Sequence, residues 1–332
     1  MDLLPSRNTL TAIGDKRTSR RGVLALGAGT GAVVAATALG AGTAQAAPAA
    51  RAASVRPAPE AVPAGRAAPG RRISRELAAL EREYAALLGV YAHNLETGRT
   101  VLHRAERRFP MCSVFKTLAA AAVLRDKDAH GEFLARRIHY TEADLLPNSD
   151  RCRENLGRGM TVAELCDATI RYSDNTAANL LLAELGGPGA ITRFCRSIGD
   201  RVTRLDRWEP DLNSAEPWRI EDTSSPLAIG RTYSSLVLGD ALNRPDRKLL
   251  TGWLLRNTTS GTRFRAGLPE GWTLADKTGG GEYGTNNDVG IAWTPGGAPV
   301  VLAVLSTRLE PDAPRVDALI ARTAALLAAD LG

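Results

Sequence analysis

Histidine, lysine and cysteine are all scarce in this chain of 332 residues. Its four histidines show neither HExxH spacing nor a triad arrangement, which argues against a zinc peptidase. Its four cysteines include no C-x-x-C pair, so the usual spacing of a zinc site is missing. A P-loop and a dinucleotide-binding fingerprint are missing as well. We therefore expect neither a metal nor an organic cofactor.

An excess of positive charge is absent from most of the chain. The formal net charge is +6, and residues 1–71 hold nine Lys and Arg against three Asp and Glu. Residues 72–332 therefore hold 33 charged residues of each sign. This balance argues against a nucleic-acid partner, because such proteins carry a basic surface on the folded domain.

Residues 1–46 have the pattern of an export signal. Arg20 and Arg21 precede an apolar run of small residues at 23–39, and the "AQA" at 44–46 fits a cleavage site. Paired arginines at this place indicate the twin-arginine route. A single membrane anchor is the alternative, but the run is rich in Gly and Ala and only weakly apolar. We expect an exported protein that meets a membrane only through this signal.

Two further boundaries follow from composition and periodicity. Residues 47–71 are mostly Ala, Pro and Arg, which predicts a disordered linker. Residues 72–332 form the folded domain, and its first helix is predicted over 74–89.

The folded domain is predicted to have a mixed α/β fold of the α+β type. Two strands follow the first helix, three strands with Gly-rich turns lie near the end, and a helix closes the chain. The block between them is mostly helical. The two ends can share one antiparallel five-stranded sheet, with an all-α domain inserted. The sheet part covers about 72–105 and 255–332, and the helical part covers about 106–254.

The stretch "MCSVFK" places Ser113 three residues before Lys116 at the start of an apolar helix. Positions i and i+3 share a helix face, so the hydroxyl and the amine can meet. A serine hydroxyl needs a base before it can act as a nucleophile, and a buried lysine can be that base. The chain has only five lysines against 37 arginines, and arginine cannot take this role. A surface lysine near a helix start is the alternative.

Two later motifs add to this pair. "YSDN" places Ser173 and Asn175 before a helix, where a second hydroxyl can relay a proton, although a helix cap is the simpler interpretation. "DKTGGG" offers Lys277 for a carboxylate and a glycine-lined strand edge for a backbone-like amide, although a Gly-rich hairpin is the alternative.

The order S-x-x-K, S-D-N, K-T-G is the combined mark of class A β-lactamases and penicillin-binding proteins. From about residue 72 to 332 the chain resembles a class A serine β-lactamase. The resemblance also covers the longer stretches "RFPMCSVFK", "RYSDNTAANLLL", "RWEPDLN" and "DKTGGGEYGTNND". It implies the serine β-lactamase/DD-peptidase-like fold, a small-molecule β-lactam substrate and a monomer.

The stretch "RWEPDLN" distinguishes a hydrolase from a slow acyl trap. It resembles the family loop that holds the hydrolytic water, which makes Glu209 the general base and Asn213 its partner. A solvated loop carboxylate is the alternative for Glu209. The resemblance also implies a salt bridge between Arg207 and Asp222 that holds the loop.

The resemblance assigns the remaining roles residue by residue. It makes Ser113 the nucleophile and leaves the acylation base open between Lys116 and Glu209 acting through water. The backbone N–H groups of Ser113 and Gly280 form the oxyanion hole, and Ser173 protonates the lactam nitrogen. The residues expected to bind substrate are Asn175, Asn213, Arg263, Lys277, Thr278, Gly279 and Thr285.

The chain departs from the family pattern at several places. Asn286 stands where many members have an arginine, and Arg263 matches the place from which others supply that guanidinium. Arg265 is a near neighbour, and a structural role in the core is the alternative for Arg263. Asn148 replaces a common aromatic wall residue. The cysteine partners expected near Gly281 and at Ala120 are missing.

The four cysteines could form two disulfides in an exported protein. Twin-arginine export carries folded cargo, and two family partners are absent, so we favour free, buried thiols. The cysteines are Cys112, Cys152, Cys166 and Cys195. Two functions remain as rivals to β-lactam hydrolysis: a DD-peptidase or esterase on the same scaffold, and a penicillin-binding sensor that does not turn over.

Overall fold

The computed structural model describes the chain from residue 69 to residue 332. The predicted export signal and most of the predicted linker lie outside the described residues. The linker prediction is wrong at its last three residues, because helix α1 already begins at Pro69. Proline suits the first turn of a helix, where its missing N–H has no intrahelical partner to lose.

The described residues form eleven helices and nine strands in mixed order. The helices are α1 (Pro69–Glu83), α2 (Phe115–Asp126), α3 (Glu132–Ala135), α4 (Asp150–Glu154), α5 (Val162–Arg171), α6 (Asn175–Leu185), α7 (Gly189–Ser197), α8 (Pro226–Val237), α9 (Arg244–Leu255), α10 (Phe264–Gly267) and α11 (Asp317–Leu331). The strands are β1 (Leu87–Asn94), β2 (Thr100–His103), β3 (Phe109–Pro110), β4 (Arg137–Ile138), β5 (Met160–Thr161), β6 (Thr223–Ser224), β7 (Thr273–Gly280), β8 (Asn286–Trp293) and β9 (Pro299–Thr307).

The main sheet has five antiparallel strands in the order β2-β1-β9-β8-β7. Both ends of the folded domain therefore contribute to one sheet, as the sequence predicts. Helices α1 and α11 supply one hydrophobic cluster, and the helical block supplies a second, larger one. Strand β9 is almost wholly buried, because apolar residues face helices on both sides of the sheet.

The inserted block lies between β2 and β7 and is mainly helical. It also holds two short antiparallel ladders, β3 with β6 and β4 with β5. Its central helix is α2, in which ten consecutive residues, 115–124, are buried. A helix that is apolar on all sides belongs in a core, and its four consecutive alanines leave room for neighbouring helices. The N-terminal turn of this buried helix carries Lys116.

The first helix begins five residues earlier and ends six residues earlier than the predicted helix over 74–89. It ends at Glu83, and Gly89 lies inside β1. A side chain at Gly89 would place its Cβ 2.4 Å from the ring of Phe109. The glycine therefore permits close packing across the sheet and does not end the helix.

Two other functional features are absent from the described residues. No helix from residue 69 onward has the length and apolar character needed to cross a bilayer. In the same part of the chain, no three His, Cys, Asp or Glu side chains lie close enough together to hold a metal ion.

Candidate active site

The predicted motifs converge on one cavity between the sheet and the helical block. The cavity has a volume of about 320 Å³. It is lined by Ser113, Asn148, Tyr172, Ser173, Asn175, Asn213, Thr259, Arg263, Thr278, Gly279, Gly280 and Arg315. Lys116, Glu209 and Lys277 lie directly behind this lining and contact it through hydrogen bonds.

Ser113 lies in a short 3-10 turn, Cys112–Val114, immediately before α2. Cys112 has a φ of 45°, which a residue with a side chain rarely adopts. Such backbone strain persists only where the surroundings hold it, and it is typical of functional sites. The Ser113 side chain is mostly buried, and its Oγ lies 3.5 Å from Oε1 of Glu209.

Lys116 is completely buried, and four oxygen atoms lie within 3.4 Å of its amine, the most distant being Oγ of Ser173. Its Nζ lies 3.0 Å from Oε1 of Glu209 and 2.7 Å from both Oδ1 of Asn175 and the carbonyl oxygen of Ser173. A buried ammonium is tolerated when it is paired and hydrogen-bonded in this way. Within residues 69–332 no direct hydrogen bond joins Ser113 to Lys116. The two side chains meet at Oε1 of Glu209.

Ser173 lies between two lysine amines. Its Oγ accepts a hydrogen bond from Nζ of Lys277 at 3.1 Å and lies 3.4 Å from Nζ of Lys116. Its φ of 58° is a second strained position in the cavity. The neighbouring Asp174 is the cap of α6, since its Oδ1 accepts the N–H of Ala177 at 2.8 Å. The S-D-N motif therefore forms a helix cap and part of the cavity at once.

Lys277 is the second buried amine of the site. Burial, and then the positive charge of Lys116, hold the pKa of Lys277 well below its usual value. The amine donates to Ser173 and to the carbonyl oxygen of Thr278, at 2.8 Å. Its proton is therefore held more weakly than that of an exposed lysine, and the Ser173 hydroxyl beside it accepts its hydrogen bond.

Strand β7 lies against the turn that carries Ser113 because its last residues are glycines. A Cβ at Gly279 would lie 2.6 Å from the carbonyl oxygen of Met111. A Cβ at Gly281 would lie 2.6 Å from the carbonyl oxygen of Asn213 and 2.9 Å from Sγ of Cys112. Side chains at these places would push the strand away from the turn.

The loop that carries Glu209 is tied down at both of its ends. Nε of Arg207 lies 2.6 Å from Oδ2 of Asp222, so the predicted salt bridge is present. The side-chain amide of Asn179 accepts the N–H of Glu209 at 3.0 Å and donates to its carbonyl oxygen at 2.9 Å. The Glu209 carboxylate is almost fully buried and also accepts from Nδ2 of Asn213. The interpretation as a solvated loop carboxylate is therefore wrong.

Arg263 lines the cavity and also has a structural role. Its Nε lies 2.9 Å from Oδ1 of Asp317, and its Nη1 donates to the carbonyl oxygens of Gly279 and Asn287, both at 3.0 Å. Arg265 is not a lining residue, and instead contacts Asp276 at 3.2 Å. Both interpretations of Arg263, core contact and cavity residue, therefore hold together.

The structure brings together every predicted site residue except Thr285. This side chain is fully buried, and its hydroxyl lies 3.1 Å from that of Thr307. Its hydroxyl therefore faces strand β9 and does not line the cavity, and its contact with substrate stays a prediction.

The sequence analysis missed three residues that line the cavity, Tyr172, Thr259 and Arg315. Tyr172 directly precedes Ser173 in the stretch "YSDN". The hydroxyl of Thr259 lies 2.5 Å from that of Thr278, and Arg315 precedes α11. Neither Thr259 nor Arg315 stands in a recognisable motif.

All four cysteines are free and buried, as the sequence analysis favours. Burial raises the pKa of each thiol, so none is a ready nucleophile.

The comparison with known proteins agrees with this geometry. A family model described as "Beta-lactamase enzyme family" matches residues 72–331. The chain belongs to the β-lactamase enzyme family. Membership of this family makes it a hydrolase of β-lactams.

Several curated relatives match most of the length of this β-lactamase. A β-lactamase of Streptomyces lavendulae is 64% identical over 264 residues, which cover 78% of this chain and 87% of the relative. A β-lactamase of Streptomyces fradiae is 58% identical over 319 residues, which cover 94% and 96%. The similarity therefore extends across the folded domain.

Solved structures agree with the fold of this β-lactamase. The β-lactamase from Streptomyces albus G superposes with a TM-score of 0.78 at 63% identity, over 79% of this chain and all of that one. A mutant of the class A β-lactamase of the last common ancestor of Gram-negative bacteria gives a TM-score of 0.74 at 50% identity, over 77% and 97%. The chain is therefore a class A β-lactamase in fold.

A pair of buried carboxyl groups, Asp276 on β7 and Asp288 on β8, lies on the face of the sheet opposite Lys277. Asp276 accepts from Nδ2 of Asn257 at 2.7 Å, and Asp288 accepts the N–H of Phe264 at 3.2 Å. Burial, and then the charge of Asp276, raise the pKa of Asp288 well above its usual value. Oδ1 of Asp288 has no hydrogen-bond partner among the described residues, which favours a proton on this pair of carboxyl groups.

Replacing Asp288 by asparagine should stabilise the β-lactamase more as the pH rises. The folded wild type keeps a proton on Asp288 that the unfolded chain releases above a pH of about 4. The stability of the wild type therefore falls as the pH rises from about 4 toward the raised pKa of Asp288. The amide of Asp288→Asn supplies that hydrogen permanently. We expect a rise in Tm of about 2 °C or more at pH 8 and almost no difference at pH 4. An equal Tm difference at both pH values in thermal melts would contradict the shared proton.

Proposed function

We propose that the chain is an exported class A serine β-lactamase that opens the lactam amide through an acyl-enzyme on Ser113. The observation that carries this proposal is the position of the Glu209 carboxylate. Its Oε1 lies within reach of both the hydroxyl of Ser113, at 3.5 Å, and the amine of Lys116, at 3.0 Å. A hydroxyl, an amine and a carboxylate this close together can take up and return a proton.

In the acylation step, Oγ of Ser113 attacks the lactam carbonyl carbon and its proton leaves to a base. Glu209 can take that proton directly or through a water. In the alternative route the Lys116 ammonium first gives a proton to Glu209, and the neutral amine then accepts the proton of Ser113. Both routes are open to this geometry, because Oε1 of Glu209 lies 3.5 Å from Oγ of Ser113 and 3.0 Å from Nζ of Lys116.

The negative charge on the carbonyl oxygen needs two donors. The backbone N–H groups of Ser113 and Gly280 serve as that oxyanion hole, since both residues line the same cavity. Loss of one such donor typically costs about 10²–10³ in rate. The close packing of Gly279 and Gly281 against the turn supports this placement.

The lactam nitrogen leaves with a proton from Ser173. Both Lys277 and Lys116 lie within 3.4 Å of its hydroxyl and can replace that proton. Ring opening then releases the strained amide while the acyl group stays on Ser113. The lowered pKa of Lys277 supports its role as a donor in this relay.

Glu209 and Asn213 then promote deacylation, which regenerates the hydroxyl of Ser113. A water held between the two side chains loses a proton to Glu209 and attacks the ester of Ser113. Oδ1 of Asn213 is buried without a partner among the described residues, so it is a free acceptor beside the carboxylate. The two hydrogen bonds from Asn179 keep the Glu209 backbone in place during both steps.

Substrate binding follows the charge and the strand edge. Lys277, Thr278 and Arg263 bind the ring carboxylate, and Gly279 belongs to the same edge. Asn175 and Asn213 hold the side-chain amide. The proposal also includes export through the signal in residues 1–46 and a monomeric state. The proposed hydrolysis requires no metal.

Replacing Lys277 by arginine should move the alkaline limit of activity upward. In the wild type the weakly held proton of Lys277 is lost below the pKa of an ordinary lysine, about 10.4, and carboxylate binding weakens with it. Arginine stays charged throughout. We expect the alkaline pKa of kcat/KM for benzylpenicillin to rise by one unit or more. Identical alkaline limbs in both enzymes would remove Lys277 from carboxylate binding.

A turnover assay separates this proposal from its rivals. The purified exported domain should hydrolyse many equivalents of nitrocefin, and treatment with EDTA should leave the rate unchanged. One equivalent of fluorescent penicillin retained for hours without turnover would instead indicate a sensor. Hydrolysis of D-alanyl-D-alanine peptides faster than of nitrocefin would indicate a DD-peptidase.

A further inference from the structure

A second arginine, which none of the motifs includes, lies against the end of strand β7. Nη1 of Arg315 lies 2.5 Å from the position that a Cβ at Gly280 would take, and its Cδ lies 3.0 Å from it. The guanidinium therefore covers the backbone of the residue proposed to supply an oxyanion donor. Arg315 itself is exposed to solvent.

Arg315 borders two adjacent cavities. One is the active-site cavity that contains Ser113. The other has a volume of about 520 Å³ and extends toward the loop that carries Glu209. The second cavity is lined by Pro210, Asp211, Asn213, Ser214, Gly280, Gly281, Glu282 and Arg315. A substrate bound at Ser113 can extend a substituent past Gly280 into this space.

The charges of the two arginines at the active-site cavity differ in how they are compensated. Arg263 is paired with Asp317 at 2.9 Å and donates to two carbonyl oxygens. No carboxylate oxygen lies within 4 Å of the Arg315 guanidinium in the part of the chain from residue 69 to 332. Arg315 therefore presents a positive charge to a passing ligand, and a guanidinium binds carboxylates and sulfonates well.

We propose that Arg315 is a specificity-determining residue that favours β-lactams carrying a second negative charge on a substituent of the ring system. The proposal rests on the proposed function, because it needs Ser113 to hold the substrate beside Gly280. The ring carboxylate is bound by Lys277, Thr278 and Arg263. Arg315 attracts a further carboxylate or sulfonate, which the acylamino arm or the opposite arm of the ring can carry.

The test compares kcat/KM within pairs of substrates that differ by one charge. Carbenicillin and benzylpenicillin differ by a carboxylate on the acylamino arm. A second pair consists of cephalosporins with a sulfonate or a neutral group on the opposite arm. Every substrate carries the ring carboxylate, so its attraction cancels in the ratio of anionic to neutral partner.

Arg315→Gln should lower that ratio about five- to tenfold in at least one pair, and the pair that changes identifies the arm. Arg315→Lys should restore about half of the loss or more on a logarithmic scale. Raising the salt concentration should lower the wild-type ratio but not that of Arg315→Gln, because salt screens exposed charges.

Arg231→Gln is the matched control. Arg231 is an exposed arginine that lines a separate cavity with Ile198 and Leu227, so its loss removes the same charge elsewhere. Its substrate ratios should equal those of the wild type. Unchanged ratios in both pairs for Arg315→Gln would overturn the inference while leaving hydrolysis intact. Failure of the wild type to hydrolyse any of the four substrates would instead reject the proposed function.

Discussion

Replacing Ser113 by alanine is expected to lower kcat/KM for nitrocefin by about 10⁴–10⁶-fold. This is the range seen when a catalytic nucleophile is removed from a serine hydrolase that keeps its other groups. The substitution removes the attacking oxygen itself, which lies at the turn before α2 with the Glu209 carboxylate 3.5 Å away. Stopped-flow nitrocefin assays and intact mass spectra after penicillin treatment measure the loss of turnover and of the acyl adduct together.

The Ser113→Ala protein should remain folded. The hydroxyl of Ser113 makes one long contact, to Glu209, and the side chain is small. We expect the Tm to stay within a few degrees of the wild type. Persistent nitrocefin turnover by a pure, folded Ser113→Ala protein would reject the serine mechanism.

Replacing Glu209 by alanine is expected to stop the enzyme after acylation. Without the carboxylate no group beside the ester can activate water, so deacylation should slow by about 10²–10⁴-fold. Each enzyme molecule should then react rapidly with one penicillin and stay acylated. Intact mass spectrometry should show a protein heavier by the mass of the intact penicillin. Asp211→Ala, on the same loop but with an exposed side chain, is the matched control and should show no adduct.

The same variant separates the two candidates for the acylation base. Rapid formation of a stable adduct by Glu209→Ala would show that Lys116 can activate Ser113 by itself. An enzyme that forms neither adduct nor product would place Glu209 in both steps. Fast turnover without an adduct would remove Glu209 from the mechanism.

Much of the site could be predicted because its chemistry lies in short local patterns. Ser113 and Lys116 share a helix face through their spacing, and Asp174 caps a helix whose start is visible in the sequence. Strand positions at both ends of the chain could also be predicted from runs of apolar residues between Gly-rich turns. Short connections that do not cross one another then leave few possible orders for the five strands.

The remaining features depend on contacts between distant residues. Gly89 reads as a helix end in sequence, but its missing side chain makes room for Phe109 across the sheet. Thr285 stands beside site residues in sequence, yet its side chain turns toward Thr307. Arg315 reaches Gly280 from 35 positions away in the chain, and no periodicity or motif records that approach.

The charges of Lys116, Lys277 and Glu209 affect how an anion binds in the cavity. Lys116 and Lys277 are fully buried, and Glu209 almost so. Lys116 is paired with Glu209, whereas no carboxylate oxygen lies within 4 Å of Nζ of Lys277 among the described residues. An anion that enters the cavity supplies Lys277 with that missing partner. The empty protein therefore holds its second ammonium at a cost, and a molecule with one negative charge relieves it before any bond is broken.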